Sequence, residues 1–196
     1  MSKETNASHA GTEVRDRILA TATDLFYKHG IRAVGVDLVV KEAGVAKTSL
    51  YRHFATKDDL VLAFLRFMDQ EFWKTWDEVS GQHSDDARAE IRAQLEWIGE
   101  RAGQPNYRGC PQLNIAAEFP DVDHPARKVA KEHKLELRRR LKALAERLNC
   151  ADPDVIAGQL TVLINGAVVS TPMYEPGESP MLLRRAADAL IPRPIR

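Results

Sequence analysis

Thr48 and Arg52 lie four residues apart in the run VDLVVKEAGVAKTSLYRHF, residues 36–54, a spacing that puts both on one side of a helix. At about 100° per residue, a helix that turns Leu50 and Phe54 into a core, with Ala46 beside them, sends Thr48 and Arg52 to the opposite side. Ser49 and Tyr51 then occupy the two flanks. This is chemistry for reading a DNA groove. A guanidinium can donate bidentately to guanine O6 and N7, and a threonine can meet a base edge or a thymine methyl. The flanking hydroxyls reach phosphate oxygens, while Lys47 and Lys57 bracket the helix as phosphate ligands that supply affinity and register but little sequence information. The bland alternative is a solvated helix face with ordinary surface charge.

A second chemistry sits at Arg108-Gly109-Cys110-Pro111. With Pro111 at the first helical position, Cys110 caps the positive end of a helix beside Arg108, a setting that lowers a thiol pKa and favours the reactive thiolate. Redox or electrophile sensing through Cys110 is the functional reading, and a small buried hydrophobe is the structural one. Other chemistries lack residues. Cys110, His124, His133 and Cys150 show no close-paired ligand spacing for zinc, and neither a phosphate-cradling glycine loop nor a nucleophile elbow is present. No catalytic residue, metal or cofactor is expected. The alternative of a helical-bundle enzyme with an incidental helix-turn-helix predicts turnover without salt-dependent DNA binding. Arg138, Arg139 and Arg140, with Lys134 and Lys142, interleave with Glu136 and Glu146 and read as a solvated helix face.

The elements that must position these groups are helices, since helix punctuation recurs along the chain and alternating strand patterns are nearly absent. Residues 1–11 are small and polar and read as a disordered tail. Apolar residues at Val14, Ile18, Ala22, Leu25 and Phe26 mark a helix over about 12–29, ended by Gly30. Val36, Val39, Val40 and Ala43 mark a short second helix, stopped by Gly44, and 47–54 forms a third. Thr56 to Asp59 resembles a capping box opening a long helix. Ser84, Pro111, Pro125, Asp152-Pro153 and Ser179-Pro180 signal five further starts, and Pro192 closes the chain. The expected fold is all-α, nine helices in all, with a three-helix DNA-binding domain (12–57) containing a helix-turn-helix, followed by a six-helix bundle (58–196).

The 196 residues carry 28 Lys and Arg against 28 Asp and Glu, so no overall basic charge points to nucleic acid. Residues 13–57 nevertheless hold eight Lys and Arg against five Asp and Glu, a local surplus that favours a phosphate partner. Two cysteines are too few for a disulfide framework, and the N-terminus has no apolar secretory stretch, so a cytoplasmic location is expected. Residues 155–174 lack charge, but Gln159, Thr161, Asn165, Ser170 and Thr171 would be costly in hydrocarbon. The expected place for this segment is inside protein. Apolar nearly all round, it needs burial on several sides, and Gly158 and Gly166 permit close approach of a partner helix. A homodimer interface is therefore expected at Ile156, Leu160, Leu163, Ile164, Ala167 and Val168, with Leu183 from the last helix, the alternative being an internal core helix.

Residues 15–61, RDRILATATDLFYKHGIRAVGVDLVVKEAGVAKTSLYRHFATKDDLV, closely resemble the N-terminal domain of the tetracycline-repressor-like (TetR) family of bacterial transcriptional regulators. Leu25-Phe26, Gly30, Ala43-Gly44-Val45, Leu50-Tyr51, Phe54 and Lys57-Asp58 stand at the family's spacing. The resemblance implies a homodimeric, ligand-responsive regulator, usually a repressor, on a pseudo-palindromic double-stranded operator. It implies DNA contacts at Lys47, Thr48, Ser49, Tyr51, Arg52, His53 and Lys57. It further implies a small-molecule effector cavity in the second domain, for which Trp73, Trp76, Trp97, Cys110, Asn114, His133 and Asn165 are the candidates. An effector there would shift the helix beginning near Lys57. Two positions depart from the pattern: Gly35 and Ala46 stand where capping hydroxyls are common, and Ala is a poor cap that costs about 1 kcal/mol of local stability.

Overall fold

Gly30 and Gly44 adopt left-handed backbone angles, φ 84° and 62°, which only glycine takes at little cost, and they end the first and second of the chain's first three helices. The computed structural model describes residues 2–191, with side chains described from Gly11 onward. Its helices are α1 (Ser2–His29), α2 (Val36–Ala43), α3 (Lys47–His53), α4 (Lys57–Gln82), α5 (Ala87–Ala102), α6 (Pro111–Glu118), α7 (Pro125–Arg147), α8 (Pro153–Ser170) and α9 (Glu178–Leu190), with a 3-10 turn at Thr171–Met173. The described residues contain no strand, so the all-α expectation holds. Pro192 lies outside the described residues.

Most helix starts follow local chemistry. Thr56 caps α4 by accepting the Asp59 N–H at 3.1 Å while the Asp59 carboxylate accepts the Thr56 N–H at 2.9 Å, the reciprocal box. Pro111, Pro125 and Pro153 open α6, α7 and α8. Three starts differ from expectation. Helix α1 begins at Ser2 and runs through the segment expected as a disordered tail; extending an established helix adds a hydrogen bond per residue ordered, and needs no apolar stripe of its own. Asp86 rather than Ser84 caps α5, its carboxylate accepting the N–H groups of Arg88 and Ala89. Gly177 rather than Ser179 caps α9, because the Ser179 hydroxyl donates to the Ala167 carbonyl at 3.0 Å.

Two cores result. Ile18, Ala22, Phe26, Leu50, Phe54, Leu60 and Phe64 form the first, but Ile115 from α6 and Ala126, Val129 and Ala130 from α7 join it. The packing therefore crosses the boundary expected at residue 57. Trp76, Ile91, Leu95, Leu137, Leu141, Leu160, Ile164 and Leu183 form the second. Helices α5 and α9 meet closely at Gly99, where a Cβ would stand 2.7 Å from the Pro180 Cβ.

Helix α8 with its following turn is long and apolar enough to cross a membrane by length and composition. One side of it packs instead on α5, α7 and α9. Ala157, Leu160, Ile164 and Val168 form that inward side, while Val155, Val162 and Val169 face outward. Of the residues expected at the interface, Leu160, Ile164, Val168 and Leu183 are buried within the protomer. Ile156, Leu163 and Ala167 are half-buried, flanking the outward valines.

Candidate DNA-reading helix and buried cavity

The facing of α3 follows its apolar anchors. Leu50 and Phe54 are buried, Thr48, Tyr51 and Arg52 are exposed, and Ser49 and His53 are half-buried. Ala46 is exposed rather than beside the core, because as N-cap it has extended angles, φ −73° and ψ 144°, so helical phase does not reach it. Neither Ala46 nor Gly35 provides a side-chain cap. The Lys47 ammonium lies 2.6 Å from Asp37, and that hydrogen bond and charge raise its pKa. His53 keeps a buried Nε2 with no hydrogen-bond partner.

Lys57 has turned inward. Its ammonium donates to the Ile31 carbonyl at 2.7 Å and sits 6.0 Å over the Phe26 ring, and burial lowers its pKa. The residue expected to hold phosphate thus ties the first turn of α4 to the turn after α1.

Helix α6 is tied at both ends to α1 and the turn that follows it. Ahead of it, the Tyr27 hydroxyl accepts the Arg108 N–H at 3.1 Å and donates to the Gly109 carbonyl at 3.3 Å. At its last residue, the Glu118 carboxylate accepts the Arg32 N–H at 3.0 Å. Beyond it, His124 stacks on Phe119 at 4.1 Å and lies 3.5 Å from Asp58 of α4.

Behind α6 lies a cavity of about 40 Å³ between α4, α5, α7 and α8. Its apolar wall includes Phe72, Ile98, Leu137 and Ile164, and its polar groups include Cys110, His133, Lys134 and Asn165. Three expected residues, Cys110, His133 and Asn165, therefore meet here. Four do not. Trp73, Trp76 and Trp97 stand one layer back around Phe72, with ring centroids 4.9, 6.3 and 4.9 Å from it; large aromatic rings at helical spacing gain more from core burial than from lining a small void. Asn114 faces away, donating to the Arg108 carbonyl at 3.1 Å, and borders a more open cleft of about 340 Å³ between α1 and α6.

The polar groups of the cavity form a chain. Asp69 lies 2.6 Å from His133 Nδ1 and also accepts the Trp73 indole N–H at 2.8 Å. His133 stands with Cys110 on the cavity wall and favours its thiolate. From the other side the Lys134 ammonium donates to Asn165 Oδ1 at 2.8 Å and lies 3.8 Å from Cys110 Sγ. Burial pushes the Cys110 thiol up, but the His133 hydrogen bond and the Lys134 and His133 charges outweigh it and hold the thiol at about 6. Burial likewise lowers His133, yet its bonds to Asp69 and Cys110 bring it above the ordinary histidine value. Lys134, lowered by burial, corrects the solvated-face reading of that cluster. A signal for it existed: Ala130, Leu137 and Leu141 are buried, and position 134 continues their helical stripe. Arg140 of the same cluster lies 4.5 Å over the Trp73 ring. No group of three or more His, Cys, Asp or Glu among the described residues could hold a metal.

Comparison with known proteins identifies the fold. Residues 18–64 match the family of bacterial regulatory proteins described as the tetR family. The crystal structure of a TetR-family transcriptional regulator from Streptomyces coelicolor superposes with a TM-score of 0.88 at 31% identity, covering 97% of this chain and 95% of that one. Escherichia coli NemR in its reduced form gives 0.79 at 20% identity over 93% and 100% of the two chains, a likeness of fold. The HTH-type transcriptional regulator YjdC of Escherichia coli is 21% identical over 156 residues, 79% of this chain and 81% of that protein.

Proposed function

Because this chain belongs to the TetR family of transcriptional regulators, we propose that it binds a pseudo-palindromic DNA operator as a homodimer and is released when a small molecule enters the cavity behind α6. It acts as a repressor in the cytoplasm. Arg52 and Thr48 read base edges; Tyr51, Ser49 and Lys47 hold the backbone.

Homodimerisation places two α3 helices about 34 Å apart, or a multiple of that, on successive faces of the duplex. The outward valines of α8, Val155, Val162 and Val169, with Leu182 of α9, supply the apolar surface for the second copy. Gly166 on the exposed side of α8 meets nothing within 4 Å in the protomer, leaving room for a partner helix.

One observation carries the release mechanism: α6 is pinned to α1 ahead of its first residue and to the turn after α1 at its last, while its cap residue, Cys110, lines the cavity. Displacing α6 shifts α1 and, through Lys57 and Ile31, the start of α4. The distance between the two reading heads then changes, and affinity for a fixed operator falls.

The test is a mobility shift on DNA upstream of the protein's own gene, backed by unbiased site selection. The parent binds specifically, and Arg52→Ala relaxes the preference at a cost of about 1–3 kcal/mol. Absence of specific binding by the parent to any DNA overturns the regulator reading.

A further inference from the structure

We propose that the cavity takes small α,β-unsaturated aldehydes and ketones and that they bind covalently, by conjugate addition to Cys110. This rests on the reading of that cavity as the regulated site and names its ligand class.

Three groups act on one sulfur, and a fourth, from α4, stands behind one of them. Cys110 is the N-cap of α6, where the helix dipole favours an anion. His133, braced by Asp69 at 2.6 Å, lines the same cavity and favours the thiolate. Lys134 approaches the sulfur at 3.8 Å, a largely buried ammonium with no carboxylate partner among its hydrogen bonds. Thiolate and ammonium therefore neutralise each other inside an apolar wall. Such a set supplies what a nucleophile needs: a base, an orienting carboxylate and a cation for the charge that develops.

The addition balances without an oxidant or reductant. The thiol proton passes to His133, whose imidazolium Asp69 stabilises. Sγ then attacks the β-carbon, and the S–C bond forms as the carbon–carbon π bond breaks. That electron pair moves onto the carbonyl oxygen, giving an enolate whose charge the Lys134 ammonium offsets. The α-carbon finally takes the proton back from His133, leaving a thioether. A void of about 40 Å³ has room for about three waters, so an adduct of five or more heavy atoms displaces α6 relative to α7, on which it packs. That displacement pulls on the Tyr27 tether.

The experiment treats the full chain with methyl vinyl ketone between pH 5.5 and 9, follows adducts by intact mass and peptide mapping, and uses Cys150, buried and with its pKa raised, as the internal control. A single adduct on Cys110 is expected, with a rate whose pH midpoint is near 6. At pH 6 the reaction should run about tenfold faster than with free cysteine, the larger thiolate fraction outweighing its lower nucleophilicity. Lys134→Met moves the midpoint up and Lys134→Arg keeps it low. A wild-type midpoint near the free-cysteine value, or modification of Cys150 as fast as Cys110, overturns the proposal without reliance on any variant. In parallel, fluorescence anisotropy on the selected operator should show at least a tenfold loss of affinity for the adduct and none for treated Cys110→Ser. Adduct formation with unchanged affinity overturns the ligand's regulatory role. Lack of specific DNA binding before treatment fails the regulator reading instead, and the adduct chemistry is then judged by the mass measurement.

Discussion

The Tyr27 hydroxyl on α1 accepts the backbone N–H of Arg108 at 3.1 Å, two residues ahead of the thiol that lines the cavity. This bond, with its companion to Gly109, joins the loop ahead of Cys110 directly to α1. Tyr27→Phe removes both bonds at about 1 kcal/mol each, lowering Tm by a few degrees. The variant should bind operator like the parent but lose less affinity when Cys110 is modified. Differential scanning fluorimetry and anisotropy read the two effects separately.

Asp37 holds Lys47 at 2.6 Å, on the surface proposed to approach DNA. Asp37→Asn frees that ammonium for phosphate, so DNA binding tightens at low salt. The slope of log K against log salt should become more negative by about 1. An unchanged slope would show that Lys47 already leaves Asp37 when DNA binds.

Val162 is 71% exposed on α8, a poor place for an apolar residue unless a second copy covers it. Val162→Glu should leave the fold and Tm of the monomer nearly unchanged, convert the dimer to monomer by analytical ultracentrifugation, and abolish operator binding through loss of the paired heads. Leu160→Glu, on the inward side of the same helix, should unfold the chain instead.

The thiol makes a pH signature. A group whose folded pKa is depressed contributes stability that is present above its unfolded value and lost as pH falls through the folded one. For Cys110 that window runs from about 9 down to about 6. His133, raised in the fold, acts with the opposite sign: its contribution is present at low pH and fades as pH rises through its folded pKa. The difference in urea midpoint between the parent and Cys110→Ser should therefore grow in the parent's favour from pH 6 to 9. A difference independent of pH would mean the thiol stays protonated.

Gly99 faces Pro180 so closely that a Cβ would stand 2.7 Å from the proline Cβ. Gly99→Ala should cost about 1–3 kcal/mol by forcing α5 and α9 apart, measurable by chemical denaturation. Gly166→Ala, with open space around it in the protomer, should spare the monomer and weaken only the dimer.

What the sequence determined by itself is local. Thr56 and Asp59 recognise each other three residues apart, Pro111, Pro125 and Pro153 each start a helix, and Leu50 with Phe54 sets the phase that turns Thr48 and Arg52 outward; all of this is decided within one or two helical turns. The tertiary structure decided what lies between helices. Asp69 and His133 are 64 residues apart and Cys110 and Lys134 are 24 apart, and only the crossing of α4, α6 and α7 joins them. Helix α8 shows the limit most plainly: apolar on nearly every side, it carries no phase of its own, so only its packing on α5, α7 and α9 could choose Leu160 for the core and Val162 for the surface. Lys57 was equally undetermined, since a long cationic side chain reaches either a phosphate or a carbonyl, and the nearby Ile31 carbonyl took it. Periodicity fixes a residue's angle about its own helix axis, while contact depends on how separate axes cross, which no single helix encodes.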